Sequence, residues 1–320
     1  MDPAPLLLGM LYDAAEAGLS VDQLVDQLSI GPEDLQAALD EIQRRGQGID
    51  RDRQGRVSLV RPVRLDPFLI ERGLDTQRIG RSVICFEQVD STNDTAADAA
   101  RSGPSDGLVV VAESQRRGRG RLGRTWVSPP RANLLLSIVL DETSRCLARE
   151  AVTIAAGLAV AEGVEAVAGV ECELKWPNDV LLGGAKLAGV LVERRQVRQG
   201  HCYIIGMGLN VLSAPSARQL GREATSLAEH VESPDRIRVL RAILRRMEVW
   251  VRRIEAGQTE QLKHCWQQRC DMLHHRARIR WGNDIFEGIV LDVHPIEGVV
   301  LAQDQGPRLM IPGSEATLLD

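Results

Sequence analysis

The stretch Glu113-Ser114-Gln115-Arg116-Arg117-Gly118-Arg119-Gly120-Arg121-Leu122-Gly123-Arg124-Thr125-Trp126 constrains this chain more than any other. Gly118, Gly120 and Gly123 spell GxGxxG, and Asp141 and Glu142 follow at nearly the spacing of a ribose-binding acid, as in a dinucleotide fold. That fold needs a strand, a tight turn and a helix in succession. Residues 108–112 read as a strand, but Pro129 and Pro130 forbid a helix opening at the next step, and 133–140 read as a further strand. The dinucleotide reading is therefore set aside. What remains is five arginines within nine positions, interleaved with glycines that let the backbone approach a ligand closely. Guanidinium groups fit phosphate or carboxylate in a bidentate way, and a loop this positive repels itself. It reads as a loop that orders over an anion, with a solvated surface loop as the plainer alternative.

At 44% hydrophobic and 26% charged, the composition is that of a globular protein. The start Met1-Asp2-Pro3 lacks the basic region of a signal peptide, and the apolar run 151–161 is too short to span a bilayer, so no membrane role is expected. Six cysteines (85, 146, 172, 202, 265, 270) show no CxxC pairing, which fits a reduced, cytoplasmic setting without disulfides. His264, Cys265, Cys270, His274 and His275 cluster without zinc-finger spacing. Residues 1–62 hold eleven acids against six arginines, which accounts for the whole net charge of −5.

Taken in order, the chain predicts a helix over 6–17, a capping box at Ser20-x-x-Gln23 opening a second, and a third after Pro32 whose apolar face is Leu35, Ala38, Leu39 and Ile42. A hairpin over 49–60 follows, and three helices with a hairpin resemble a winged helix-turn-helix. Residues 63–80 read as a linker with a short helix at 67–72, and 81–271 as a mixed α/β domain. Asp90-Ser91-Thr92-Asn93 opens an alanine-rich helix. Its short polar side chains serve as N-caps or hold a polar head group such as a cyclic urea. Gly183-Gly184 joins two strands, and Lys186 stands in the second among small residues. Asp179, beside Asn178, is a candidate for Mg²⁺ with bound phosphate. Residues 272–320 are short strands, expected to form a small β-barrel.

Five motifs then stand together: Asp90-Ser91-Thr92-Asn93, the Gly-Arg-Gly-Arg-Leu-Gly-Arg loop ending at Trp126, Lys175-Trp176-Pro177-Asn178-Asp179, Lys186-Leu187-Ala188-Gly189 and Gly206-Met207-Gly208-Leu209-Asn210. In this order they resemble the biotin protein ligases, of the long bacterial type that doubles as biotin-operon repressor. The resemblance implies an α+β chain with an N-terminal winged helix-turn-helix, a mixed α/β catalytic domain and a C-terminal SH3-like β-barrel. It implies that biotin and MgATP form biotinyl-5′-AMP, and that biotin then passes to a lysine of the biotin carboxyl carrier protein of acetyl-CoA carboxylase. Carried over residue by residue, Ser91, Thr92, Asn93 and Gln115 hold the ureido ring. Arg119, Gly120 and Arg121 close over the ligand, and Lys186 meets the carboxylate and phosphate. Lys186, Arg119 and Arg121 are then the catalytic cations, and Arg121, Trp126, Lys175, Asn178 and Asn210 bind the nucleotide. A ligand-dependent homodimer through strands near 133–140 and the last domain is also implied, and operator DNA is a possible partner. A lipoate ligase on the same catalytic fold is the alternative. The third helix argues against strong DNA binding, because residues 20–43 hold six acids and no Lys or Arg.

Overall fold

The computed structural model describes residues 2–142, 147–198, 200–270, 272–294, 297–304, 306–312 and 316–319. Two compact units divide the chain, Met1–Arg72 and Gly73–Asp320. In the first, α1 (Ala4–Ala14), α2 (Val21–Leu28) and α3 (Pro32–Arg44) precede a hairpin of β1 (Ile49–Arg51) and β2 (Val57–Leu59). The capping box is complete. Gln23 N–H donates to Ser20 Oγ at 3.2 Å, and Ser20 N–H donates to Gln23 Oε1 at 2.9 Å. All four apolar residues expected on α3 are buried.

The stretch expected as a linker, 63–80, is instead divided between the units. Val63, Leu65, Leu69 and Ile70 are buried, α4 (Pro67–Glu71) carries the last two, and Gln47 exchanges hydrogen bonds with the backbone of Arg64. Beyond Arg72, the N–H groups of Gln77, Arg78 and Ile79 donate to the Glu248 carboxylate at 2.8, 3.0 and 3.0 Å. Buried apolar side chains and a shared carboxylate fasten what composition alone leaves loose.

The second unit is built on a seven-stranded sheet. Its strands are β3 (Val83–Phe86), β4 (Val109–Ala112), β5 (Leu134–Asp141), β6 (Glu173–Lys175), β7 (Asp179–Leu182), β8 (Ala185–Val197) and β9 (Gly200–Leu209), in the order β3-β4-β5-β9-β8-β7-β6. Only β3 and β4 run parallel. Leu134 to Leu140 are all buried, so this part of the sheet is covered on both faces. Each such buried Leu or Ile contributes about 1.5–3 kcal/mol. On one face α5 (Thr92–Ser102) sets Ala96, Ala97 and Ala100 against Val110, Val139 and Ile204. Helix α6 (Arg149–Ala168) is long and apolar enough to cross a membrane, yet most of it is buried against α8 (Arg236–Glu255) and the sheet. At their crossing a Cβ on Gly163 would meet the backbone of Ile243 at 2.8 Å, so the small residues of α6 let two helices approach closely.

Strand β5 is paired on both edges, with β4 and with β9. The expected subunit contact through 133–140 is thereby corrected, because those backbone groups are already taken and their side chains are buried. After the short α7 (Ala217–Leu220), α8 and α9 (Thr259–Gln267), the chain ends in a five-stranded antiparallel sheet. Its strands are β10 (Arg276–Trp281), β11 (Asp284–His294), β12 (Gly298–Ala302), β13 (Arg308–Ile311) and β14 (Ala316–Leu318), ordered β13-β12-β11-β10-β14. No ladder joins β13 to β14 among the described residues, so the sheet is not a closed barrel. The expected reduced thiols are found at Cys85, Cys172, Cys202, Cys265 and Cys270, while Cys146 lies outside the described residues.

Candidate active site

Every residue singled out for ligand binding except Asn210 lines one cavity of about 450 Å³ in the second unit. One end is neutral and hydrogen-bonding. Ser91, Thr92 and Asn93 are buried at the start of α5. Ser91 makes no capping bond. The helix is capped instead from the arginine loop, where Gln115 Oε1 accepts from Thr92 N–H at 2.7 Å and lies 3.1 Å from Thr92 Oγ1. Ser137 of β5, which no motif indicated, lies within 2.8 Å of Thr92 Oγ1 and 2.6 Å of Asn93 Oδ1. Its signal in the sequence is a lone hydroxyl in the apolar run Leu134–Asp141. Asn93 is wedged over Gly206, where any Cβ would collide with its amide.

The other end is charged. Lys186 Nζ lies 2.7 Å from Asp179 Oδ1, and Arg222 reaches Asp179 Oδ2 at 2.6 Å. Burial pushes the Lys186 ammonium below the ordinary lysine value; Asp179 opposes this shift and Arg222 adds to it. Burial pushes the Asp179 carboxyl up, but the two cations outweigh it and hold the group below the usual range. Asp179 was a candidate for Mg²⁺. A carboxylate with both oxygens already on cations does not fit a divalent ion, and no group of three His, Cys, Asp or Glu is placed to share a metal among the described residues. Arg222 escaped the sequence reading because it stands outside every motif. The fold places it here by pairing Lys186 N–H with Glu223 O at 3.1 Å and Thr225 N–H with Lys186 O at 3.0 Å.

Between the two ends runs the arginine loop. Gly120 N–H donates to Arg124 O and Trp126 N–H to Gly118 O, so the loop doubles back on itself. It was expected to order over a ligand anion, yet carboxylates of this chain hold it. Arg116 pairs with Asp90, and Arg119 pairs with Asp94 at 2.7 Å and Glu193 at 2.9 Å. Arg119, assigned as a ligand cation, lines the cavity while paired with these two acids. Arg121 donates to Asn178 Oδ1 at 3.5 Å and to Ala316 O at 3.3 Å, among other contacts. Burial pushes its guanidinium below the ordinary value, with Arg149 and Arg124 adding to the shift.

Trp126 closes the wall. Its ring packs on Gly208, where a Cβ would collide with it, and its centroid lies 5.3 Å from Lys186 Nζ. Buried Trp126 Nε1 and Asn210 Oδ1 have no hydrogen-bond partner among the described residues. Such orphans are rare in native proteins and suit groups that meet a ligand. The loop stems are tied by a pair that sequence reading missed. Arg236 and Glu113 are each 2% exposed and lie 2.6 Å apart, and Arg236 also donates to Asn133 O at 3.4 Å.

The profile of the Biotin/lipoate A/B protein ligase family matches residues 85–210. The bifunctional ligase/repressor BirA of Bacillus spizizenii is 29% identical over 304 residues, 93% of each chain. The biotin–[acetyl-CoA-carboxylase] ligase of Mycobacterium tuberculosis is 42% identical over 198 residues, covering 58% of this chain and 71% of that one. The structure of the biotin protein ligase from Aquifex aeolicus in complex with biotin and ATP superposes with a TM-score of 0.64 at 27% identity, over 74% of this chain and 98% of that one. The matched residues include the neutral pocket, the arginine loop and the lysine beside its buried carboxylate, and by these likenesses the chain belongs to the biotin protein ligase family.

Proposed function

We propose that this chain activates biotin with ATP and transfers it to a lysine of a biotin carboxyl carrier protein. One observation carries this reading. A single cavity sets neutral hydrogen-bonding groups at one end and Lys186, Arg121 and Arg222 at the other. A urea needs both donors and acceptors and no charge, which Ser91, Thr92 and Gln115 supply. The carboxylate of the same molecule must attack an anionic α-phosphate, so it needs cations.

In the first step a carboxylate oxygen forms a bond to the α-phosphorus, the bond to the β-phosphate breaks, and pyrophosphate leaves. Lys186 and Arg121 lower the repulsion between the two anions and stabilise charge on the phosphate oxygens. Trp126 and Asn210 offer their unpaired polar atoms to the nucleotide, and Lys175 and Asn178 line its side of the cavity. Mg²⁺ receives no ligand role from Asp179. In the second step the acceptor amine attacks the acyl carbon and AMP leaves. Asp179, held between two cations, is a weak base for that amine. The test is biotin-dependent ATP–pyrophosphate exchange. Exchange driven by lipoate but not biotin would overturn the reading in favour of the lipoate branch.

The three helices and hairpin of the first unit support a winged helix-turn-helix, and the last five strands support an open SH3-like sheet. The name of the Bacillus relative, ligase/repressor, supports a second role in operator binding. A homodimer is better served by the outer edge of β8, where 191–197 pair with β9 on one side and with no second strand among the described residues, than by β5.

A further inference from the structure

We propose that Glu193 is a positioning residue that couples the head-group pocket to the arginine loop, so that a ligand engaging Thr92 and Asn93 tightens the hold on Arg119. This rests on the reading of that pocket as the biotin head-group site. The loop meets the pocket twice. At its start Gln115 Oε1 accepts a hydrogen bond from Thr92 N–H at 2.7 Å. Further on, Arg119 donates to Glu193 Oε2 at 2.9 Å, and the same oxygen accepts from Asn93 Nδ2 at 2.7 Å. Ser137 lies between Thr92 and Asn93 and bridges them, its hydroxyl donating to Asn93 Oδ1 and accepting from the Thr92 hydroxyl. Gln115, Thr92, Ser137, Asn93, Glu193 and Arg119 thus form one hydrogen-bonded circuit that begins and ends in the loop.

Asn93 has no donor to spare. Its Oδ1 faces Ser137, and its Nδ2 serves Glu193, with Leu191 O at 3.4 Å. A ureido oxygen that accepts from Asn93 Nδ2 must therefore displace Glu193 or Leu191 O. When the Asn93 amide turns to the ligand, Glu193 loses its one neutral donor. Its charge is then left to Arg119 and to Arg195, which holds Oε1 at 2.7 Å. A carboxylate shared by fewer donors binds each more strongly. Occupation of the pocket is thereby converted into a firmer ion pair on the loop. Asp94 grips Arg119 from the other side, with both oxygens 2.7 Å from one guanidinium nitrogen, and does not bond to Asn93 among the described residues. Asp94 holds the loop, while Glu193 connects it to the pocket.

The loop supplies its own reporter, since trypsin cuts after its arginines. The full chain is digested briefly with and without biotin, and cleavage between Arg116 and Arg124 is followed by mass spectrometry. In the unsubstituted protein biotin is expected to slow loop cleavage at least about fivefold, the lower end of coupling between sites. Glu193→Gln should bring that ratio to one while the KM for biotin changes less than about threefold. Asp94→Asn should raise cleavage at every biotin concentration and leave the ratio intact. A merely structural Glu193 would raise cleavage in the same way as Asp94. A Glu193→Gln protein that still gains full protection from biotin overturns the proposal. Should that variant unfold, hydrogen exchange at amides 116–125 in Ser137→Ala, which breaks the same circuit one step earlier, serves instead, and an undiminished effect of biotin again overturns it. Absence of protection in the unsubstituted protein would strike at the head-group assignment itself.

Discussion

Arg44, Arg45, Arg51, Arg53 and Arg56 in the first unit match in number the five arginines of the 116–124 loop, but the two sets end in different surroundings. In the first set Arg44 and Arg45 both pair with Glu41 on their own helix, Arg51 donates to Gln36, and Arg56 donates to the carbonyls of Ala17 and Gly18. The pairs at Glu41 are local to one helix end, while Arg51 and Arg56 reach 15 to 39 positions back along the chain. In the loop, Arg116 and Arg119 are likewise matched by acids, but Arg119, Arg121 and Arg124 all line a cavity. A cluster of positive charge in a sequence therefore says little until its acids are located. The residues left over after pairing decide what it can bind.

The anchoring of the two segments differs most, and that difference gives the largest effect. Arg236 and Glu113 are buried beneath the loop stems, whereas Arg45 and Glu41 are partly exposed. Arg236→Ala removes a buried cation from the Glu113 carboxylate, and should lower stability by about 3–5 kcal/mol. Arg45→Ala should cost about 0–1 kcal/mol. Urea denaturation of both variants checks this, and equal losses would break the contrast.

The cavity end of the comparison is sharpened by Lys186→Ala. The variant should fold, and biotin-dependent exchange should fall about 10²–10³-fold, the cost of removing one donor aimed at developing charge. Unchanged exchange would return Lys186 to the role of an ordinary edge lysine. Arg121→Gly should have a smaller effect on adenylate formation, but should let biotinyl-AMP escape about tenfold faster. Released adenylate is scored by biotin on lysines of an unrelated protein, and full retention would mean that other residues close the site.

A smaller effect is a shift in pH dependence. Lys186 acts while protonated, so activity is lost as pH rises through its folded pKa, which lies below the ordinary lysine value. Arg222 contributes to that lowering by repulsion, so Arg222→Gln should move the alkaline limb of the exchange reaction to higher pH. Asp179→Asn removes the attraction that opposes the lowering and should move the limb the other way. Shifts in the same direction would show that Lys186 does not set the limb.

Local rules in the sequence anticipated the elements well. The capping box at Ser20, the Gly183-Gly184 hairpin and the apolar face of α3 each depend on residues within a turn of one another. The motifs likewise anticipated most of the cavity wall. The missed residues act across long separations. Glu113 meets Arg236, Thr92 meets Ser137, and Asp179 meets Arg222 only because the sheet and α8 bring distant segments together. Glu193 offered a faint signal as the first acid in an otherwise apolar stretch of β8 after Lys186. The two acids that pair with Arg119 were missed for the same reason, since they lie 25 and 74 positions away.

The smallest effect concerns DNA and tests the first set of arginines directly. Arg51, Arg53 and Arg56 have no carboxylate partner among the described residues, so at most these three of the set are left for phosphate. Each neutralised phosphate contributes about −0.9 to the slope of log K against log salt, which limits the slope to about −3. Binding should then be weak, with a Kd of about 10⁻⁴ to 10⁻⁶ M at physiological salt, as for non-specific contacts. The exposed acids of α3, Glu33, Asp34 and Asp40, add repulsion on any face of that helix turned towards a groove. Arg53→Ala should reduce the slope by about 1 and change affinity only a few-fold. The measurement is a salt-dependent gel shift on the chain's own upstream DNA or a biotin-synthesis promoter, with biotin and ATP present. Nanomolar, sequence-specific binding with a steep slope would mean that the pairs at Glu41 open on DNA and that both arginine sets are ligand-facing.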